Sequence, residues 1–245
     1  MAVQVWAHRG ASGYAPENTL ESFALAAEQG ADAIELDVQL SRDGELVVIH
    51  DETTDRVSGN KAWVKDLTLR ELKELNVSLP HPVGFGKTEI PTLREVYELM
   101  RPTGLNINVE IKSSIVWYPQ IEEKVLELTA QMGMEERVIY SSFNHNSLVK
   151  LRELDPSVKT GLLYEDVLIG VAPYARDTVH VEALHPALYH LQDPDFVRTA
   201  HEYGLETHVW TVNEPEHLRM CMEMGVEAVI TNYPDRARQI AGEYA

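Results

Sequence analysis

Residues able to do chemistry gather at the ends of short β-branched runs. Ile34-Glu35-Leu36-Asp37-Val38 carries two carboxylates on alternate positions, and Val109-Glu110-Ile111-Lys112 carries a third beside an ammonium. Alternate residues of a strand project to one face, so Glu35 and Asp37 share a side, as do Glu110 and Lys112. Carboxylates turned together into an interior repel one another and lose hydration, a cost that demands compensation. A hard divalent cation supplies it, and three oxygen ligands of this kind suit Mg2+ or Ca2+. The plainer account is a buried ion network in which the acids pair with Lys112 and Arg9 and do nothing more. For a single acid the plainer account is preferable. Here His8-Arg9 and His50-Asp51 end two further runs. Three acids, two histidines and two cations at corresponding strand ends mark an active site.

The elements that must position these residues follow from periodicity. Nine runs read as strands, over 3–8, 33–40, 46–50, 106–112, 138–143, 160–164, 181–185, 207–212 and 228–231. The second and third are separated by Ser41-Arg42-Asp43-Gly44-Glu45, and Asp-Gly is a tight-turn signal. So short a link cannot make a parallel crossover; these two must pair as a hairpin, leaving eight runs to be joined in parallel. Asn18, Thr68 and Thr92 each stand three residues before a glutamate (Glu21, Glu71, Glu95), the spacing of a helix-initiating capping box. Later helices are expected at 120–132, 146–154, 194–203, 215–224 and 234–243, with a weaker signal within 166–176.

Strand–helix repetition of this kind gives an α/β protein. No glycine-rich phosphate loop follows the first run, which argues against an open nucleotide-binding sheet. The polar strand ends favour a closed (β/α)8 barrel of the TIM type, and 245 residues suit one such domain spanning 1–245. Residues 51–90, with Gly59, Pro80, Pro82, Gly84 and Gly86, read as an inserted excursion after the second-strand hairpin. It lies over one barrel end and carries a short helix at 69–75.

Composition narrows the partners. Against 21 Lys+Arg stand 39 Asp+Glu, a formal net charge of −18, and no basic run offers a footprint for nucleic acid or an anionic membrane. The single Cys221 excludes an intrachain disulfide and a cysteine-rich zinc site. The start, MAVQVWAHRG, has no basic region followed by an apolar run, and no apolar stretch reaches spanning length. A cytoplasmic protein without stable membrane insertion is expected; self-association is left open.

AHRGASGYAPENTLESF at 7–23, IELDVQLSRDGELVVIHD at 34–51, IPTLREV at 90–96, NVEIK at 108–112, SSFN at 141–144, WTVN at 210–213 and TNYPD at 231–235 together resemble the glycerophosphodiester phosphodiesterase family. These segments span nearly the whole chain, and HRG followed by ExD and HD is their specific part. The resemblance implies that Glu35, Asp37 and Glu110 hold the metal, and that His8 and His50 form an acid–base pair. It also implies that Arg9 and Lys112 contact the phosphate and that Trp210 lines the glycerol side. The implied reaction is metal-dependent hydrolysis of a small glycerophosphodiester to sn-glycerol 3-phosphate and an alcohol, with attack by the hydroxyl next to the phosphorylated carbon.

Two rivals are weighed against it. A lysophospholipase D-type enzyme would need an apolar groove, for which Tyr14, Trp63, Val83 and Phe85 are available. A non-catalytic phosphate-ester binding module should lack one of the five central acids and histidines, and all five are present. Among the other histidines, His208 is expected in the barrel core and His185 at a strand end where substrate contact is the lesser prospect. His81, His145, His180, His190, His201 and His217 are expected in solvent. Phe143 suits substrate packing and core packing equally.

Overall fold

The β-branched runs pair edge to edge as a closed cylinder. The computed structural model, which describes residues 2–81 and 84–244, contains β1 (Gln4–His8), β2 (Ala33–Leu40), β3 (Leu46–Val48), β4 (Asn106–Ile111), β5 (Val138–Ser142), β6 (Lys159–Tyr164), β7 (Ala183–Pro186), β8 (Glu206–Val209) and β9 (Ala228–Thr231). Strand order is β1-β9-β8-β7-β6-β5-β4-β2, and a parallel β1–β2 pairing closes the ring. The fold is a TIM barrel. Only β3 is antiparallel, returning along the outside of β2 so that Leu46 pairs with Leu40 and Val48 with Val38. All eight residues of β2 are buried, as expected for a strand with the lumen on one face and helices on the other.

The lumen is filled by large side chains, among them Trp6, His185 and His208, and the ring of Trp6 lies 4.4 Å from that of His208. Space for His185 comes from Gly161 on β6: a Cβ there would stand 2.1 Å from His185 Nε2. The barrel's outer surface and its helices bury an apolar layer including Phe23, Leu93, Ile107, Val125 and Leu151.

Several expected boundaries shift for physical reasons. The first helix, α1 (Leu20–Glu28), is capped by Thr19 with Ser22 as its reciprocal partner, not by Asn18 with Glu21; Asn18 is drawn inward to Asp37. Thr68 with Glu71 and Thr92 with Glu95 do form capping boxes. The 46–50 and 207–212 runs end early as strands, at Val48 and Val209, although Trp210 stays bridged to Ala187 of the neighbouring segment. The weak 166–176 signal becomes one α-turn, Val171–Tyr174, continued by a π-turn over Ala175–Val179.

The excursion closes over a small apolar cluster of Val47, Ile49, Val57, Val64, Leu72, Val77 and Ile90. It includes α2 (Asp55–Ser58) and α3 (Leu69–Glu74). A Thr53–Trp63 bridge ties its two sides together, and a Val47–Thr92 bridge anchors its return. Val83, one residue of the apolar groove expected from sequence, lies outside the described residues; Tyr14 and Trp63 are partly exposed.

Candidate active site

At the C-terminal end of the barrel, one oxygen from each of Glu35, Asp37 and Glu110 lies within 4.8 Å of the others. All three side chains are buried. The register explains the meeting: Asp37 pairs with Glu110 across β2–β4, and Glu35 with His8 across β1–β2. Burial, followed by the charges of Asp37 and Glu110, raises the Glu35 carboxyl well above the usual carboxylate range. Burial likewise pushes Glu110 up, against the pull of Lys112. Burial opposes ionisation of Asp37 too, but Arg9, His50, Lys112 and a hydrogen bond from Asn18 outweigh it and hold the group low. Asp37 Oδ1 is buried without a hydrogen-bond partner. Three hard oxygens, one of them unsatisfied, in a cluster where Glu35 and Glu110 resist ionising beside an ionised Asp37, are a donor set suited to a divalent cation.

Arg9 and Lys112 flank the acids. Lys112 Nζ donates to Glu110 Oε1 at 3.0 Å and stands 4.0 Å from Asp37 Oδ1. The Arg9 backbone N–H donates to Glu35 Oε2 at 3.0 Å, and its Nε lies 3.5 Å from Asp37 Oδ2. This approach requires Arg9 at φ 55, the sparsely populated left-handed region. Gly10 follows at φ 80 and lies so close to Ser22 that a Cβ would meet Ser22 Oγ at 2.3 Å. The glycine of the His-Arg-Gly run is thus a steric requirement.

His8 Nδ1 donates to Asn232 Oδ1 at 2.7 Å, and His50 Nδ1 donates to Asp51 Oδ1 at 2.6 Å. In neutral His8 this leaves Nε2 as the free acceptor, and in His50 it leaves Nε2 as the nitrogen not engaged by Asp51. Burial and the neighbouring Arg9 charge lower His8 to about 4. His8, Glu35, Glu110 and Trp210 line one cavity of about 20 Å³ with Asn108 and His185. Trp210 donates to the His185 carbonyl at 2.7 Å and meets Phe143 edge to face at 5.7 Å. A much larger cavity, about 540 Å³, opens at the strand N-termini among Lys159, Arg176 and Glu206. It touches none of these groups, so charge and not volume locates the site.

The surroundings correct and extend the sequence reading. His208 sits in the core as expected, 2.9 Å from His185 Nε2 and 3.0 Å from Glu206. His185 is fully buried beneath the cavity. His190, expected in solvent, is buried because its Nε2 donates to the Glu165 carbonyl at 2.9 Å. His145 is half-buried, held by the Leu163 carbonyl and Tyr174. Sequence reasoning overlooks Asn18, which donates to Asp37 Oδ2 at 2.8 Å, and Asn232. It also overlooks Gln39, the next residue on the Glu35–Asp37 face. Gln39 donates to the carbonyls of Ile49, His50 and Asp51 and so fixes the turn that carries His50. The period of two that singles out Glu35 and Asp37 could have found it.

Acids, imidazoles and cations collected at the strand C-termini define the class: a (β/α)8-barrel enzyme with a site suited to a cation and an anionic ester. Comparison with known proteins narrows this. Residues 8–236 match the Glycerophosphoryl diester phosphodiesterase family. A glycerophosphodiester phosphodiesterase of Caldanaerobacter subterraneus subsp. tengcongensis is 44% identical over 237 residues, covering 96% of each chain. Among solved structures, an Oleispira antarctica phosphodiesterase in complex with the product sn-glycerol-3-phosphate superimposes with TM-score 0.86 at 28% identity, over 98% of this chain and 96% of that one. A glycerophosphodiester phosphodiesterase of Agrobacterium tumefaciens gives TM-score 0.84 at 27% identity, over 98% and 99%. The chain belongs to the glycerophosphodiester phosphodiesterase family and is an enzyme, a phosphoric diester hydrolase. None of its described helices is long and apolar enough to cross a membrane.

Proposed function

We propose that the enzyme hydrolyses water-soluble glycerophosphodiesters, such as glycerophosphocholine or glycerophosphoethanolamine, to sn-glycerol 3-phosphate and the free alcohol, in a reducing cytoplasm. The observation that carries this reading is the buried Glu35–Asp37–Glu110 cluster, flanked by Arg9 and Lys112, with Glu35 and Glu110 lining a cavity together with His8. In this reading the three acids hold Mg2+ or Ca2+, which when bound offsets the charge developing on the phosphoryl oxygens. Arg9 and Lys112 bind those oxygens, Arg9 with the geometry for bidentate donation. Trp210 packs against the glycerol carbons.

The two histidines divide the proton transfers. His8, held neutral, accepts through Nε2 the proton of the glycerol hydroxyl beside the phosphorylated carbon as that oxygen bonds to phosphorus. His50, entering the step as the imidazolium with its ring oriented by the Asp51 carboxylate, gives its Nε2 proton to the alcohol as that oxygen's bond to phosphorus breaks. The resulting cyclic phosphate is opened by water with the roles exchanged, which returns both rings to their starting states. Holding the nucleophile within the substrate supplies the proximity gain.

Release of sn-glycerol 3-phosphate across head groups, in chelator and after addition of Mg2+ or Ca2+, tests the reading; full activity in chelator would end it. His8→Ala and His50→Ala should each lower kcat by about 10²–10⁴. A p-nitrophenyl ester, whose leaving group needs no proton, should be spared by His50→Ala but not by His8→Ala.

A second reading has its own observation. Ile115, Trp117, Val167, Leu168 and Ile169, on the loops after β4 and β6, are exposed at the catalytic end. A 1-acyl lysophospholipid keeps the required neighbouring hydroxyl and could lay its chain there. Lysophosphatidate release from lysophosphatidylcholine is the measurement that favours it over the small diester.

A further inference from the structure

Five side chains of alternating charge run unbroken from one candidate functional group to another. His50 Nδ1 donates to Asp51. Arg56, on α2 of the excursion, donates to Asp51 through Nε at 2.6 Å and through one terminal nitrogen at 3.1 Å. The same guanidinium donates twice to Glu17, both at 2.7 Å. Glu17 in turn accepts from Arg9 at 3.0 Å. One planar fork therefore grips two carboxylates at once, each bidentately, and each carboxylate orients a different member of the site. Lysine offers a single point charge and cannot reproduce this.

We infer that Arg56 is a positioning residue for the reaction: it fixes the distance between His50 and Arg9 by clamping Asp51 to Glu17, and this is what the excursion contributes to catalysis. The excursion is built to hold it. Val57, the next residue, is buried in the excursion's own apolar cluster, and Gln39 secures the backbone of His50 and Asp51 from the barrel side. Asp51 and Glu17 are both held ionised against burial, with hydrogen bonds from His50 and Arg56 acting on the first and from Arg56 and Arg9 on the second. The clamp thus works with charged partners throughout. Nothing in the chain of contacts requires Arg56 to touch the substrate.

The inference rests on the proposed roles of His50 and Arg9, so the parent enzyme's cleavage of glycerophosphocholine is scored first, with the metal-loaded full chain. A parent inactive on every diester counts against the proposed function; an active parent leaves the variants to judge the clamp. Arg56→Ala should lower kcat by about 10- to 100-fold, the usual cost of losing an orienting partner, with KM changed less than about threefold. Free guanidinium at millimolar concentration should restore a large part of kcat, since the Arg56 side chain is 42% exposed and its site can be entered. Arg56→Lys should show the same kcat loss, and it covers an Arg56→Ala that fails to fold. A loss confined to KM, or no rescue by guanidinium, would overturn the clamp. Independently of turnover, the ring nitrogen resonances of His50 should move in Glu17→Gln, because Glu17 reaches His50 through Arg56. They should no longer respond to Glu17→Gln once Arg56 is replaced by alanine. Unmoved resonances in the parent background, or an equal response in both, would refute it.

Discussion

The carboxylate cluster should destabilise the metal-free fold, and Glu35→Gln should reveal by how much. Two carboxylates no more than 4.8 Å apart repel by about 3 kcal/mol at an effective dielectric near 20. Glu35 escapes this by retaining a proton. Doing so costs about 1.4 kcal/mol for each pH unit above its ordinary value of 4.5. The smaller cost sets the penalty, so it is below about 1 kcal/mol at pH 5 and about 3 kcal/mol at pH 7.5. The sign follows from linkage: a group whose folded form holds its proton more tightly favours the fold at low pH and loses that advantage as pH rises. The uncharged amide introduced by Glu35→Gln would remove the repulsion while still accepting from the Arg9 N–H. In chelator at pH 7.5 the variant should therefore melt about 6–12 °C above the parent, taking about 2–4 °C per kcal/mol for a chain of this size. At pH 5 the two should melt nearly together. Thermal unfolding followed by circular dichroism at the two pH values reads the difference. A variant no more stable than the parent at pH 7.5, or a gap independent of pH, would refute the reasoning.

Other consequences are more direct. A divalent cation at a hundred times its Kd should stabilise the parent by about 2.7 kcal/mol, seen as a rise in Tm that Asp37→Asn abolishes. His8, lowered to about 4 from an ordinary 6.5, is bound by the fold in its neutral form. Its contribution is complete above pH 6.5 and is lost as pH falls towards 4; urea unfolding in chelator should show that slope, and His8→Gln should flatten it. Gly161→Ala forces a methyl onto His185, 2.1 Å away, and should cost at least about 1–3 kcal/mol, measured as a lowered denaturant midpoint.

Much of this architecture is legible in the sequence because its signals are local. Eight β-branched runs, one Asp-Gly turn and the alternation of Glu35 with Asp37 need no knowledge of distant partners. What stays hidden depends on residues far apart in the chain. Arg56 meets Glu17 across 39 positions and His8 meets Asn232 across 224, and neither pairing leaves a periodic trace. Asn18 shows how a local rule is overridden. Both Asn18–Glu21 and Thr19–Ser22 satisfy the spacing of a cap, and the choice falls to Thr19 because Asp37 needs the Asn18 amide. His190 reads as solvated because no sequence rule anticipates the Glu165 carbonyl above it.

The same dependence explains where strain is concentrated. Arg9 at φ 55 and Asn18 at φ 56 are two of the four described non-glycine residues in the left-handed region, and both contact Asp37. Such backbone is costly by about 1–2 kcal/mol for an ordinary side chain and persists only where its surroundings over-determine it. Here they are over-determined by charge. Once Glu35 gives up its proton, the three acids exceed Arg9 and Lys112 by one negative charge at the inner site. A divalent cation would convert that to one positive charge, which a phosphodiester anion would neutralise. On the proposed reading, metal and substrate together would meet the electrostatic demand of these crowded carboxylates, so substrate affinity should fall with metal removal and not merely the rate.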